Sequence, residues 1–314
     1  MIRYLKHQEI NKLKWDECIS NSPNGMIYGY SWYLDIVCPE WEALVEDDYT
    51  SVMPLPMGKK YGFTYTYPPS FTQQLGIFSL QAIPEERIME FIAAIPTLYR
   101  YIEMNLNEKN GVDSGALETN NHVTYVLDLN RPYAEIYSQY STQTKRNLKK
   151  ALSCSLTIVQ SARPPKIIKL FSENRGMEQE LPSAFYTILE QLIEALLSKG
   201  LVKVMGVNDK NNALCAGAFF IKSKNRDIFL FSGANESGYD SHAMTLLINN
   251  YIEENAGNPV LFDFEGSMDT DLARFYSGFG SIKTEFPTIR KSTLPAPVKW
   301  IKEIQFKRKS AAGK

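Results

Sequence analysis

The sequence contains few of the residues that build metal sites and disulfide frameworks. It has only four cysteines and three histidines in 314 residues. No two cysteines form a CxxC pair, and no cysteine is spaced with a histidine as metal ligands are. The residues are Cys18, Cys38, Cys154, Cys215, His7, His122 and His242. We therefore expect free thiols in a reducing cytoplasm and no metal ion.

Neither a charge excess nor a long apolar run is present. Lys and Arg number 34 against 35 acidic residues, a net charge of -1, so any site for an anion must be local. The most apolar stretches end after about eight residues, short of the roughly 20 that a membrane helix needs. The N-terminal sequence MIRYLKHQEINKLKWDE has no apolar core before a cleavage site. We expect a cytoplasmic protein without a membrane span.

The length and the 44% hydrophobic content favour two domains, each with its own core. In the predicted first domain, residues 1–131, apolar spacing indicates two short helices within residues 15–37. Strand-like runs between residues 41 and 78 suit an antiparallel meander. A helix over residues 84–99 and two strands complete an α+β unit.

The predicted second domain, residues 132–292, repeats this order. A short helix leads into the basic run 141–150, a strand, and a helix opened by Pro164. The longest helix has apolar residues at helical spacing and ends before Gly200. Three strands at short spacing predict a meander. A helix over residues 241–255, a strand, a helix over residues 269–276 and a strand over residues 282–289 follow. We expect a closing helix within residues 293–314 to pack back on the first domain.

The segment DIFLFSGANESGYDSHAM is typical of an anion site, because a strand leads through small residues into a helix start. Unsatisfied amides and the positive end of the helix dipole there suit a pyrophosphate. Small residues such as Gly238 would let a ligand approach. The alternative is an ordinary helix start capped by Asp240 or Ser241. The candidate cofactor-binding residues are Ser232, Gly233, Ala234, Gly238, Tyr239, Ser241, His242 and Ala243.

The segment FDFEGSMDTDLARFYSGFG contains the candidate catalytic residues Tyr276, Glu265 and Asp263. A phenol on the helix can donate a proton to a departing thiolate. The two carboxylates alternate along the strand, so we expect one to face the site and the other to face away. The alternatives are a tyrosine that only packs and carboxylates that only hold structure. Ser267, in the same segment, is a candidate for substrate binding.

The run TKRNLKKAL predicts a basic helix face. Lys145 and Lys149 share one side with Arg146 beside them, and these three are candidate substrate-binding residues. Leu148, Ala151 and Leu152 form the predicted packed side. The alternative is a solvated charged face.

Together these segments resemble the Fem-type aminoacyltransferases and their GNAT-like relatives over nearly the whole chain. The resemblance rests on YGYSWYLDIV and MPLPMGKKYGFTYTYPPSFTQQLGIF in the first half, and on STQTKRNLKKA, FDFEGS and LARFYSGFG in the second. It implies an α+β fold of two GNAT-like (acyl-CoA N-acyltransferase) domains in tandem, each a mixed, mainly antiparallel sheet flanked by helices.

The resemblance also bears on the reaction. GNAT enzymes often place a general-acid tyrosine four residues before a glycine, as Tyr276 stands before Gly280. Fem-type enzymes more often have FK in that place, where this chain has Phe275 and Tyr276. The tyrosine favours a thioester donor, acetyl-CoA or another acyl-CoA. GYDSHAM, however, is a loose form of the GNAT pyrophosphate loop.

Three hypotheses follow. The first is an acyltransferase that moves an acyl group from acyl-CoA to an amine or hydroxyl of a small or peptide-like acceptor bound between the domains. The second is aminoacyl-tRNA-dependent transfer to a cell-wall-like substrate, for which Lys145 and its neighbours would contact phosphates. The third is a GNAT-like binding protein without catalysis. The sequence determines neither the acceptor nor the oligomeric state.

Overall fold

The computed structural model describes residues 1–60, 62–112, 118–178, 180–266 and 268–295. The chain divides into two compact units: unit 1 is Met1–Asn121 with Phe286–Lys314, and unit 2 is His122–Glu285. The domain boundaries expected at 131/132 and 292/293 stay predictions. The expected closing helix falls on residues 296–314, which lie outside the described residues.

The described residues of unit 1 form two sets of paired strands and three α-helices. One set pairs antiparallel throughout in the order β1-β2-β3-β6. The other runs β4-β5-β7-β14 and contains one parallel pair, β5 with β7. The strands are β1 Ile2–Leu5, β2 Glu42–Glu46, β3 Ser51–Leu55, β4 Met57–Lys60, β5 Phe63–Thr66, β6 Phe78–Ser79, β7 Tyr99–Asn105 and β14 Ile282–Ser292. The helices are α1 Lys12–Asn21, α2 Ser31–Val37 and α3 Glu85–Ala93.

Apolar faces of these elements close the core of unit 1. Trp15 of α1 and Trp41 are fully buried, with ring centroids 4.7 Å apart. Phe91 of α3 packs in a cluster with apolar residues of β2, β3 and β7. Burial of such side chains is the main favourable term in forming the unit.

Unit 2 has one mixed sheet in the order β8-β13-β12-β11-β10-β9. All neighbours pair antiparallel except β12 and β13, which are parallel. The strands are β8 Glu118–Asp128, β9 Thr157–Val159, β10 Val202–Asn208, β11 Leu214–Ile221, β12 Arg226–Ala234 and β13 Leu261–Asp263. The helices are α4 Tyr133–Ser138, α5 Thr142–Ser153, α6 Pro164–Ser172, α7 Arg175–Glu178, α8 Ser183–Ser198, α9 Glu236–Asp240, α10 Ala243–Asn255 and α11 Thr270–Ser277.

Local chemistry explains where the helices of unit 2 begin and end. The hydroxyl of Ser141 accepts a hydrogen bond from the amide of Thr144 and caps α5. Pro164 opens α6, as predicted. After α8, Gly200 has φ +67 and its amide donates to the carbonyl of Leu197, while the amide of Leu201 donates to that of Leu196. This is a Schellman ending, and the glycine predicted to end the helix is confirmed.

Four local predictions were wrong. The helix expected to reach residue 99 ends at Ala93, because Pro96 has no amide hydrogen and disfavours helical backbone at the residue before it. The strands expected as one meander divide between two sets, with Pro56 between β3 and β4. The helix expected from residue 241 begins at Ala243 after a separate helix, α9. Leu152, expected to pack, is 68% exposed.

Several expected absences concern only what the structure covers. Among the residues that the structure describes, no helix has the length and apolar character needed to cross a membrane. Within the same residues, no three His, Cys, Asp or Glu side chains are grouped to hold a metal ion. The four cysteines are free thiols.

Candidate functional site

The sheet of unit 2 opens into a wedge between β12 and β13. Their parallel register runs from Arg226 opposite Leu261 to Ile228 opposite Asp263. Beyond that point the chain after β13 stays with β8, because the amide of Phe264 donates to the carbonyl of Tyr125 at 2.9 Å. β12 stays with β11, and its register shifts between Phe229 and Phe231. Such a bulge bends a strand. Residues 229–234 of β12 and the chain from Phe264 onward, which have no β12–β13 pair among the described residues, are the two arms of the wedge.

Tyr276 lies across this wedge. Its ring stacks on Phe264 with centroids 5.2 Å apart and meets Phe229 edge-on at 6.2 Å, so it contacts both arms. α11 places it there, and that helix begins at Asp269, whose side chain accepts from the amides of Asp271 and Leu272. Tyr276 is 9% exposed, and no hydrogen bond reaches its phenol oxygen from any residue that the structure describes.

Three charged side chains shift the pKa of the Tyr276 phenol. Burial raises its pKa most, the charges of Glu265 and Asp269 raise it further, and Arg175 opposes them. A phenol whose pKa is raised stays protonated across the physiological pH range. Tyr276 therefore suits hydrogen-bond donation and does not suit the part of a base.

Glu265 follows β13 in an unusual backbone conformation. Its φ is +58, in the left-handed region that costs a side-chain-bearing residue about 1 to 2 kcal/mol. The amide of Glu265 donates to Oδ1 of Asp263 at 2.8 Å, which holds the turn in place. Glu265 is half-buried, and the charge of its carboxylate raises the pKa of the Tyr276 phenol.

Asp263 is enclosed by partners and only 1% exposed. Its Oδ2 contacts the Arg226 guanidinium at 2.7 Å, and its Oδ1 accepts from the Thr124 hydroxyl and the Glu265 amide. Burial raises its pKa, while Arg226 and these hydrogen bonds lower it. Because both of its carboxylate oxygens have partners, Asp263 is suited to hold β12, β8 and the turn at Glu265 together. It is not suited to exchange a proton with substrate.

One charged residue near Tyr276 has no signal in the sequence, Arg175 of α7. Its Nη2 contacts Oδ2 of Asp269 at 3.2 Å. Its positive charge lowers the pKa of the Tyr276 phenol, whereas the negative charge of Glu265 raises it. α6 precedes it and packs on β12, where Phe171 and Phe231 have ring centroids 4.6 Å apart. Arg175 stands 101 residues before Tyr276 in the chain, and no local pattern connects the two.

The predicted donor segment surrounds the far end of β12. Ser232, Gly233 and Ala234 lie on the arm of β12 beyond its last pair with β13. A Cβ at Gly233 would lie 2.7 Å from the amide nitrogen of Phe171, and one at Gly238 would lie 2.2 Å from the carbonyl oxygen of Cys215. Both glycines therefore permit packing of protein on protein, and the reason given for Gly238, room for a ligand, is wrong.

The start of α10 differs from the one expected. The amides of Ser241 and His242 donate to the carbonyls of Ser237 and Tyr239, so they complete α9. Among the described residues, no acceptor reaches the amides of Ala243 and Met244. Ala243 is fully buried and Met244 is half-buried. The amides without an acceptor at this helix start are therefore those of Ala243 and Met244, and not that of Ser241.

His242 precedes α10 in a left-handed conformation, with φ +54. Burial lowers its pKa, and the nearby charge of Lys150 lowers it further while Asp240 raises it. Lys150 lies on α5, which packs on α10 through Leu148, Ala151 and Leu246. This packing places basic residues of α5 beside the start of α10. Tyr239, on α9, is exposed.

The remaining predicted residues lie on α5 or outside the described chain. Lys145 donates to the carbonyl of Ser138 at 2.9 Å and lies 5.3 Å over the Tyr137 ring. Arg146 and Lys149 are exposed, and no described carboxylate lies within 4.0 Å of either or of Lys145. Ser267 lies outside the described residues. The structure thus gathers Tyr276, Glu265 and Arg175 at the wedge, and basic residues of α5 beside α10.

No protein-family model matches the chain, and no curated protein matches its sequence. Solved structures match its fold. The crystal structure of FemX superposes with a TM-score of 0.66 at 13% identity, covering 95% of this chain and 99% of FemX. A conserved protein of unknown function from Bacteroides thetaiotaomicron gives 0.55 at 10%, covering 92% and 99%.

L-PGS from Bacillus licheniformis gives a TM-score of 0.52 at 10% identity, with coverage of 93% of this chain and 95% of that one. Likeness at such identities shows the fold. The predicted α+β fold is confirmed, because the chain superposes on FemX and on L-PGS over more than nine-tenths of its length.

Proposed function

We propose that this protein is an acyltransferase whose reaction takes place at the wedge of unit 2. The observation that carries the proposal is the position of Tyr276, whose ring contacts both arms of the wedge. A protonated phenol there, beside a carboxylate, suits a reaction in which negative charge develops on a leaving group. The fold that the chain shares with FemX is compatible with this reaction.

The donor in this proposal is an acyl-CoA thioester that lies along the free arm of β12. Alternate residues of Ser232–Ala234 turn backbone amides and carbonyls toward the edge that β13 leaves unpaired, where an extended ligand can add hydrogen bonds. The anionic end of the donor would lie at the start of α10, close to Met244 and the cations of α5. Lys145, Arg146 and Lys149 then serve as counter-charges.

In the chemical step the acceptor nitrogen attacks the thioester carbonyl, a C–N bond forms and the C–S bond breaks. Tyr276 donates a hydrogen bond to the developing thiolate. Full proton transfer would be uphill, because an ordinary thiol has a pKa of about 8.5 and the phenol has a raised one. Glu265 accepts the proton that the acceptor nitrogen loses. With an acceptor hydroxyl the same groups play the same parts.

Replacement of the phenol tests this function. Tyr276→Phe should lower the turnover of acyl-CoA by about a hundredfold or more, since loss of one hydrogen-bond donor to a developing anion costs about that much. Tyr140→Phe is a matched control, because the Tyr140 hydroxyl is also buried in unit 2 and has no partner among the described residues. Coenzyme A release is the readout.

Binding of the donor is measured separately. Acetyl-CoA and longer acyl-CoA thioesters should raise the melting temperature of the wild type in a concentration-dependent way. If no thioester binds, or if Tyr276→Phe and Tyr140→Phe turn over as the wild type does, acyl transfer at the wedge is rejected. A GNAT-like binding protein without catalysis would then be the better hypothesis.

A second candidate is aminoacyl-tRNA-dependent transfer, which the α5 surface favours. Arg146, Lys149 and Lys150 are exposed, with no described carboxylate within 4.0 Å. Binding of tRNA through several phosphates should weaken steeply between low and physiological salt. Arg146→Gln with Lys149→Gln should flatten that dependence, whereas the same charge change at Lys166 and Lys210 should not. An absence of tRNA binding at low salt would exclude this candidate.

A further inference from the structure

The ion pair between Arg175 and Asp269 lies at the start of α11, the helix that carries Tyr276, and is readily exchanged. The side chains are 36% and 46% exposed and 3.2 Å apart. An exposed pair of this kind contributes little net stability, because solvent screens the attraction and two side chains lose freedom. An incoming anion can therefore take the place of Asp269 at little cost.

Asp269 does not depend on Arg175. Oδ1 of Asp269 accepts from the amides of Asp271 at 2.9 Å and Leu272 at 3.2 Å, as the cap of α11. Those amides are the largest cause of its lowered pKa, ahead of Arg175. Asp269 thus stays ionised and partnered when the guanidinium leaves it, and Arg175 is the exchangeable member of the pair.

Packing behind Arg175 holds its backbone in place. Gly176 is buried, and a Cβ there would lie 2.6 Å from the Tyr186 hydroxyl and 3.1 Å from the Phe171 carbonyl oxygen. The absence of a side chain lets α7 lie close to α6 and α8. The guanidinium is consequently anchored from behind while its head is open to solvent.

Side chains of both charge signs influence the Tyr276 phenol. Glu265 and Asp269 act on Tyr276 as negative groups, and Arg175 acts on it as a positive one. A small molecule with a cationic amine and a carboxylate a few bonds apart matches this pattern. The planar guanidinium also offers two parallel donors to a carboxylate, which a lysine does not.

We propose that Arg175 binds a carboxylate of the acyl acceptor, so that the site takes acceptors of the α-amino acid type. This inference rests on the proposed acyl transfer, because it identifies which substrate meets the Tyr276 phenol. The carboxylate replaces Asp269 on Arg175, and the neighbouring amine lies toward Glu265. No covalent change occurs at Arg175, which is a substrate-binding residue.

The test compares two probes that differ only in charge, N-acetyl-L-alanine and N-acetyl-L-alaninamide, by titration with NMR detection. The wild type should bind the carboxylate about tenfold or more tightly than the amide, as expected for a charge-assisted pair. Arg175→Gln should abolish that preference without changing amide binding. Arg175→Lys should keep part of it. Arg274→Gln, an exposed arginine of α11, is the matched control and should behave as the wild type.

Equal affinity of the wild type for both probes would overturn the proposal, as would no binding of either up to the solubility limit. A preference that survives in Arg175→Gln would overturn it too. Coenzyme A release is measured in parallel with L-alanine and L-alaninamide as acceptors. A carboxylate preference without turnover would reject acyl transfer and keep the binding site. Turnover that uses both acceptors equally would reject the site and keep acyl transfer.

Discussion

Asp263→Asn is expected to destabilise unit 2 through the charge it removes. The substitution keeps the size of the side chain, and an amide oxygen still accepts from Thr124 or from the Glu265 amide. It takes away the carboxylate that Arg226 contacts at 2.7 Å. Two sets of donors, the new amide and the guanidinium, then face one another in a site from which water is largely excluded.

The magnitude follows from burial. Removing one member of a buried ion pair costs about 3 to 5 kcal/mol. The Arg226 side chain is 11% exposed and that of Asp263 is 1% exposed, so some solvation of Arg226 is retained. We therefore expect a loss near the lower end, about 3 kcal/mol in the free energy of unfolding. Arg226→Met combined with Asp263→Asn should be less destabilised than Asp263→Asn alone.

The assay must report on unit 2 by itself, since a chain of two units need not unfold in one step. Amide hydrogen exchange of β8, β12 and β13 gives that local free energy. Trp15, Trp32 and Trp41, the tryptophans that the structure describes, lie in unit 1. Their fluorescence should keep its denaturant midpoint. A local loss under about 0.5 kcal/mol in Asp263→Asn, the range of ordinary surface changes, would refute the reasoning.

Three further substitutions have defined outcomes. Glu265→Gly should raise the free energy of unfolding by about 0.5 to 1 kcal/mol, because glycine accepts φ +58. Turnover should fall in the same variant. A fall in both the free energy of unfolding and the turnover would contradict strain at the site. The lowered pKa of His242 adds stability above about pH 6.5 that is lost as pH falls through the folded value. Lys150→Met should move that pKa upward in an NMR titration, and an unchanged value would exclude the coupling. Gly238→Ala should cost about 2 kcal/mol or more in urea unfolding, since its Cβ would lie 2.2 Å from a carbonyl oxygen, whereas Gly111→Ala, with open space, should cost little.

The parts of the fold that the sequence predicted well are those set by local chemistry. The ending of α8 at Gly200 is an example, since a period of 3.6 and a glycine beyond the last turn are both visible in the sequence. The separate helix α9 was missed because the Asn235 side chain caps it, accepting from the amide of Gly238 at 3.0 Å. A cap inside a run of small residues is hard to distinguish from an ordinary loop.

The candidate site was accessible to sequence reasoning where a motif marked it, as at Tyr276. Arg175 was not accessible, because its contact with Asp269 depends on how α6, which precedes it, packs on β12. The role of Gly238 was not accessible for the same reason. Gly238 has no side chain because Cys215 on β11 lies against it, which is a tertiary contact without a local pattern.

The alternation of Asp263 and Glu265 shows where a local rule ends. A strand period of two predicts opposite faces, but β13 ends at Asp263 and Glu265 turns into the left-handed region. The hydrogen bond from the Glu265 amide to Asp263 stabilises that turn, and Arg226 and Thr124 fix Asp263 in its place. A buried structural carboxylate thus sets the backbone of its neighbour.

Left-handed backbone occurs at two of the residues that the proposed reaction uses. Glu265 and His242 both have left-handed backbone, at φ +58 and +54, although neither is glycine or asparagine. Such residues persist only where surrounding contacts compensate, and they gather at binding and catalytic sites. The charge of Glu265 raises the pKa of the Tyr276 phenol, and His242 precedes the amides at the start of α10. Eight described residues other than glycine have positive φ, and Glu265 and His242 are the two of these that the proposed reaction uses, one for the reacting atoms and one for the anionic end of the donor.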